Sequence, residues 1–134
     1  MSDLPTSEPA TTPETEPFWE ATTEGRLLLK TCGDCERPHY YPRSRCPHCG
    51  SADTDWTEAS GEGNVYSFSV PRQAGGEFGD ATPYVLAYVE LAEGPRMLTN
   101  VVGCGPDDVE VGMPVEVAFE AAGDDAALPR FRPR

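Results

Sequence analysis

The chain has 134 residues, 38% of them hydrophobic and 25% charged, and a formal net charge of −13 from 23 acidic against 10 basic side chains. This length suits about one compact domain with a small appendage. No apolar run approaches the ~20 residues of a membrane helix, and so acidic a surface repels a polyanion such as DNA.

Only one basic residue, Lys30, is a lysine, a composition like that of proteins from salt-loving organisms, in which carboxylates keep the surface hydrated. Charge is unevenly spread. Residues 26–49 carry Arg26, Lys30, Arg37, Arg43 and Arg45 against Asp34 and Glu36, a net-positive segment in a negative whole. The start, Met1-Ser2-Asp3-Leu4-Pro5, has neither a basic cluster nor an apolar stretch with a cleavage site, which predicts a cytoplasmic protein.

Residues 1–17 are Pro, Thr, Ser and Glu with almost nothing to bury, and read as a disordered acidic tail. Residues 18–31 begin with a short helix: Pro17 opens it, Phe18 and Trp19 anchor it, and Gly25 stops it. Arg26-Leu27-Leu28-Leu29-Lys30-Thr31 then leads as a strand into residues 32–59, and Thr54-Asp55-Trp56-Thr57-Glu58 leads out of them.

Residues 32–59 hold two C-x-x-C hooks, Cys32-Gly33-Asp34-Cys35 and Cys46-Pro47-His48-Cys49-Gly50, ten residues apart. Each hook sets two thiolates on one side of a tight turn, and four thiolates close a tetrahedral Zn2+ site with no open position, so the metal is structural. Gly50 suits the left-handed backbone of a knuckle, and Gly33 can relax the first turn similarly. Two disulfides, or iron as in rubredoxin, would use the same residues. His39 and His48 read as loop residues because four cysteines already complete a site. Cys104 reads as a small buried hydrophobe with no activating neighbour.

From residue 60 to 134 the pattern is all-β. Asn64–Val70 alternates with Tyr66, Phe68 and Val70 on one face, Pro83–Leu91 is apolar on both faces in its middle, Met97–Val102 follows a Glu93-Gly94-Pro95 turn, and Pro114–Phe119 places Val115, Val117 and Phe119 inward. Gly75–Asp80 reads as a flexible loop. A small β-barrel is expected. No Ser-His-Asp order, phosphate loop or spaced carboxylate pair stands out, which predicts a chain that is not an enzyme by itself.

Phe18-Trp19-Glu20, Gly25–Leu29, the two hooks with Tyr41-Pro42-Arg43 between them, Ser60–Phe68, Pro83-Tyr84-Val85 and Val111–Val115 occur in one order that resembles the domain of unknown function thirty-five family, from about Phe18 to Phe131. The resemblance implies a mainly β chain with an N-terminal helix, a rubredoxin-like zinc ribbon and a C-terminal OB-type barrel. It also implies a non-catalytic subunit that accompanies a thiolase-superfamily enzyme, in some cases with hydroxymethylglutaryl-CoA synthase, bridging subunits and helping to form the coenzyme A passage. Arg37, Arg43 and Arg45 are candidates for the coenzyme's phosphates or an acidic partner patch.

Two other classes remain open at this point. OB barrels also bind nucleic acid, with Tyr66, Phe68 and Tyr84 as stacking candidates; against this, these aromatics alternate as core residues do and there is no basic groove. A rubredoxin-like electron carrier requires iron in the four sulfurs. Leu128-Pro129-Arg130-Phe131-Arg132 sets an aromatic between arginines, either as a docking anchor or as a last strand closing the barrel.

Overall fold

The structure, a computed structural model, describes residues 3–134. Helix α1 spans Glu16–Thr22, with Pro17 in its first turn and Phe18, Trp19 and Ala21 buried. Gly25, at φ +75°, ends it in the left-handed region that glycine adopts at least cost. The rings of Phe18 and Trp19 meet edge to face at 4.9 Å, and Phe18 also touches Tyr40 and Tyr41. The Trp19 Nε1–H donates to the Tyr41 hydroxyl at 2.9 Å. This aromatic knot fastens the helix to the cysteine-bearing module.

That module is a three-stranded antiparallel sheet in the order β2-β1-β3, with β1 at Leu28–Cys32, β2 at Pro38–His39 and β3 at Thr54–Glu58. It hands over directly to a closed barrel of β4 (Glu62–Ser69), β5 (Val85–Leu91), β6 (Arg96–Val101), β7 (Pro114–Ala121) and β8 (Ala127–Pro133), arranged β4-β5-β6-β8-β7. On β5, Val85, Ala87, Val89 and Leu91 all point inward, the period-2 signature of a strand with one face in the core. At Gly63 any Cβ would sit 2.5 Å from the Glu90 carbonyl oxygen, so only glycine lets β4 and β5 come this close.

β4 departs from simple alternation. A bulge between Val65 and Ser67 inserts Tyr66 as an extra residue: Val65 pairs with Val89 inside, and Ser67 pairs with Tyr88. Tyr66 is therefore turned to solvent, at 47% exposure, instead of sharing a core face with Phe68. Residues 75–80, expected as a flexible loop, fall for the most part in a 3-10 helix, Gly76–Ala81, whose Phe78 ring lies 5.2 Å from that of Tyr84.

Phe131 is fully buried and pairs with Val101 across the parallel β6–β8 seam. The docking role considered for Phe131 is thereby excluded, since a side chain that closes the barrel cannot anchor a partner. Residues 1–2 of the expected tail lie outside the described residues. Residues 3–15 run along the body: Thr15 is buried, Ser44 donates to Glu14 through its backbone N–H and its hydroxyl at 2.7 and 2.8 Å, and Arg130 donates to the Pro5 carbonyl. Among the described residues no helix is long and apolar enough to cross a membrane.

Candidate metal centre and the surface around it

The two hooks are built alike. In each, the N–H of the residue after the second cysteine returns to the carbonyl of the first, Glu36 to Cys32 at 2.9 Å and Gly50 to Cys46 at 2.8 Å. A second bond closes each turn, from the Cys32 N–H to Arg37 and from the Cys46 N–H to Ser51. Both returning residues are left-handed, Glu36 at φ +62° and Gly50 at +78°. Gly50 thus does what was expected of it. In the first hook the left-handed residue is Glu36 and not Gly33, whose N–H instead donates to the Asp53 carbonyl at 2.7 Å.

A left-handed glutamate carries a steric cost of about 1–2 kcal/mol that glycine avoids, partly offset by glycine's greater freedom in the unfolded chain. Glu36→Gly should therefore stabilise the protein by about 0.5–1 kcal/mol. Denaturant melts would check this, and a loss of stability would show that the Glu36 side chain supplies something the backbone argument omits.

The four sulfurs converge, all within 4.8 Å of one another. Cys32 and Cys49 are 3.6 Å apart, as are Cys35 and Cys46. A tetrahedron with metal–sulfur bonds of about 2.3 Å has edges of about 3.8 Å, whereas a disulfide would need about 2.05 Å. The spacing fits a metal site, and all five cysteines are free thiols.

The electrostatics point the same way. Backbone N–H groups of Cys35 and Asp34 favour the Cys32 thiolate and bring its pKa down to about 7. Cys49 is pushed up to about 12: the Ser51 N–H that favours its thiolate is outweighed by the neighbouring sulfurs, Cys32 first, and by burial. Four thiolates this close repel one another, and a divalent cation removes that repulsion.

Neither histidine joins the cluster. His48 is exposed and contributes its backbone N–H to the Cys46 sulfur. His39 is buried on β2, where loss of solvent lowers its pKa, and its ring nitrogens make no hydrogen bond of ordinary geometry. Cys104 is half-buried, its thiol raised first by burial and then by Asp108, the opposite of an activated nucleophile.

The three arginines meet different neighbours. Arg45 donates to the Gly50 carbonyl at 3.2 Å and so belongs to the second knuckle. Arg43 acts on the Glu14 carboxyl, which is held below its ordinary value first by the Ser44 N–H. Arg37 lines a cleft of about 380 Å3 between the ribbon and the β5–β6 turn, together with His48, Pro95 and Arg96. Arg96, Tyr88 and Leu98, which the sequence pattern did not single out, stand exposed on the barrel wall beside that cleft.

Comparison with known proteins bears on both modules. Residues 19–55 match the family description "ChsH2, rubredoxin-like zinc ribbon domain", and residues 56–120 match "ChsH2, C-terminal OB-fold domain". A DUF35 domain-containing scaffold protein of Methanocaldococcus jannaschii is 36% identical over 123 residues, spanning 86% of this chain and 87% of its own length. The chain belongs to the DUF35 family. A "Probable enoyl-CoA hydratase alpha subunit" of Thermomonospora curvata is 45% identical over 120 residues, but these cover only 36% of its length against 87% of this chain. A benzoylsuccinyl-CoA thiolase subunit of Geobacter metallireducens is 35% identical over 74 residues, 55% of this chain and 47% of its own. Among solved structures, a chain of an Ltp2-ChsH2(DUF35) aldolase superposes with a TM-score of 0.81 at 41% identity, covering 94% of this chain and 98% of that one.

The last finding corrects the expectation that the chain is not an enzyme. Its structural counterpart, matched over nearly the whole of both chains, stands in a protein named for its catalysis. The lack of a recognisable acid/base motif in one chain was too weak a ground, because residues from several chains can complete one catalytic centre.

Proposed function

We propose that this chain is a subunit of an acyl-CoA-processing enzyme whose partner is of the thiolase superfamily, and that it bridges subunits and helps to form the passage for coenzyme A. The observation that carries this reading is the near-complete match, in both directions, to a chain of the Ltp2-ChsH2(DUF35) aldolase. Relatives described as subunits of a hydratase and of a thiolase, and as scaffold proteins, support it. A partnership that includes hydroxymethylglutaryl-CoA synthase is a narrower form of the same reading.

The zinc ribbon serves as a rigid spacer: with four sulfurs on the metal it offers no open coordination position. Of the three arginines, Arg37 is the candidate for a coenzyme A phosphate or a partner carboxylate, because it faces a cleft while Arg45 is committed to its knuckle. A nucleic-acid role is disfavoured by the net charge of −13, and an electron-carrier role depends on iron, which elemental analysis would reveal.

The test is co-expression with a thiolase-superfamily protein encoded in the same genome. The two should co-elute, and acyl-CoA turnover by the pair should exceed that of the partner alone. Failure to bind, or a partner equally stable and active without this chain, overturns the reading.

A further inference from the structure

The barrel wall formed by β4, β5 and β6 carries the main concentration of exposed large apolar side chains among the described residues. Tyr66, Tyr88 and Leu98 are 47%, 46% and 51% exposed. They are neighbours by register: Tyr88 lies directly opposite Leu98, and Ser67, next to the bulged Tyr66, lies opposite Tyr88. Arg96, on the same face as Leu98, lays its guanidinium 3.7 Å over the Tyr66 ring and pairs with Glu90 at 3.1 Å. A monomeric surface rarely keeps such a cluster bare, and tyrosine with arginine is the composition of interface anchors.

Charge separates the possible occupants. The Glu90–Arg96 pair neutralises the wall itself, in a chain whose net charge is −13. Across the adjoining cleft stands Arg37, which makes no ion pair among the described residues and belongs to the net-positive segment 26–49. Glu93 lines the same cleft, but its carboxylate accepts the Ser60 N–H at 2.8 Å. The surface therefore has an apolar centre and, at its edge, the Arg37 cation, which complements a protein face with an apolar centre and a carboxylate at its rim. Single-stranded nucleic acid fits less well: Arg96 already covers a face of Tyr66, Leu98 offers no ring to stack on, and the acid excess repels a polyanion.

We infer that the outer wall of the barrel, where Tyr66, Tyr88 and Leu98 adjoin Arg96 and Arg37, is the surface that docks the thiolase-superfamily subunit, through an apolar face on that subunit edged by a carboxylate. This rests on the function proposed above and adds the surface and its chemistry. The aromatic anchor lies on β4 and β5, far along the chain from the C-terminal segment considered from composition.

Two variants, Tyr88→Ser/Leu98→Ser and Arg37→Glu, are compared with the full-length protein and with Asp125→Asn on the β7–β8 turn, using as probe the thiolase-superfamily subunit of the same genome. Docking here predicts a dissociation constant weakened about tenfold or more by each of the first two and unchanged by the third, with melting temperature and zinc content kept. Binding that is equal for all variants overturns the surface while leaving the function reading in place. If the unmutated chain does not bind the subunit, the function reading fails and this assignment falls with it. Light scattering that shows a dimer of the unmutated chain, dissolved by Tyr88→Ser/Leu98→Ser, makes a second copy the occupant and overturns the proposal. So does binding of a labelled single-stranded oligonucleotide that the same variant abolishes.

Discussion

Replacing Cys46 with serine should strip the protein of its zinc and unfold the ribbon while the barrel keeps its strands. Cys46 is almost fully buried, its sulfur 3.6 Å from that of Cys35, and its hook is held by the Cys46–Ser51 and Gly50–Cys46 backbone bonds. A serine hydroxyl is a poor ligand for zinc at neutral pH, and structural zinc contributes on the order of 10–16 kcal/mol in small ribbons. The β1–β3 ladder and the aromatic knot hold the base of this module, but little besides the metal holds the hooks: β2 has two residues, and the tips are largely exposed. Elemental analysis should fall from one zinc per chain toward none, and proteolysis should open within residues 32–59. Cys104→Ser should retain its zinc, since Cys104 is not among the four converging thiols. The sign of the pH effect follows from the thiolates. Each must lose a proton to bind metal, so lowering the pH protonates them and releases zinc. Full zinc content in Cys46→Ser with an intact ribbon would sink the structural-metal reading.

The hooks were legible in the sequence because everything they need is local: two cysteines three positions apart and a left-handed residue just after. Even there, Glu36 was missed, since nothing in its identity announces a positive φ. β5 was legible as a strand from its apolar run, but its middle read as apolar on both faces, whereas only Val85, Ala87, Val89 and Leu91 point inward and Tyr88 stands exposed. β4 was misread because one bulged residue reverses the alternation beyond it, which put Tyr66 in a core it does not enter and hid the exposed wall it helps to form. The role of Phe131 depends on a parallel pairing with β6 some thirty residues earlier in the chain, and local pattern carries no trace of such a partner. Residues 3–15 were judged by how little they could bury, yet their contacts with Ser44 and Arg130 are polar.

The second large effect is expected at Arg130, whose charge is among the most deeply buried in the protein. Its side chain is 4% exposed, and its guanidinium donates to the Glu120 carboxylate, itself 10% exposed, at 3.0 Å. The β7–β8 register makes this pairing unavoidable: Ala118 lies opposite Arg130, and Glu120, two residues on, shares its face. The same guanidinium reaches the Pro5 carbonyl, so one cation joins the barrel seam to the N-terminal strand of chain laid over it. Burying two charges is costly, and their mutual attraction roughly offsets that cost, which is why the pair as a whole need not stabilise the fold. Removing one member is different, because the Glu120 carboxylate then stays in low dielectric with the attraction of the guanidinium lost. Arg130→Ala should therefore cost about 3–5 kcal/mol, a large share of the ~5–15 kcal/mol that holds a domain together. Replacing both, as Arg130→Met with Glu120→Leu, should recover most of that loss, since the desolvation cost of both charges is then removed together with their attraction. Urea denaturation of the two variants beside the unmutated protein measures both steps. A single-variant loss below about 1 kcal/mol would mean that water reaches Glu120 once the arginine is gone, and that the seam is held by its apolar residues and not by this pair.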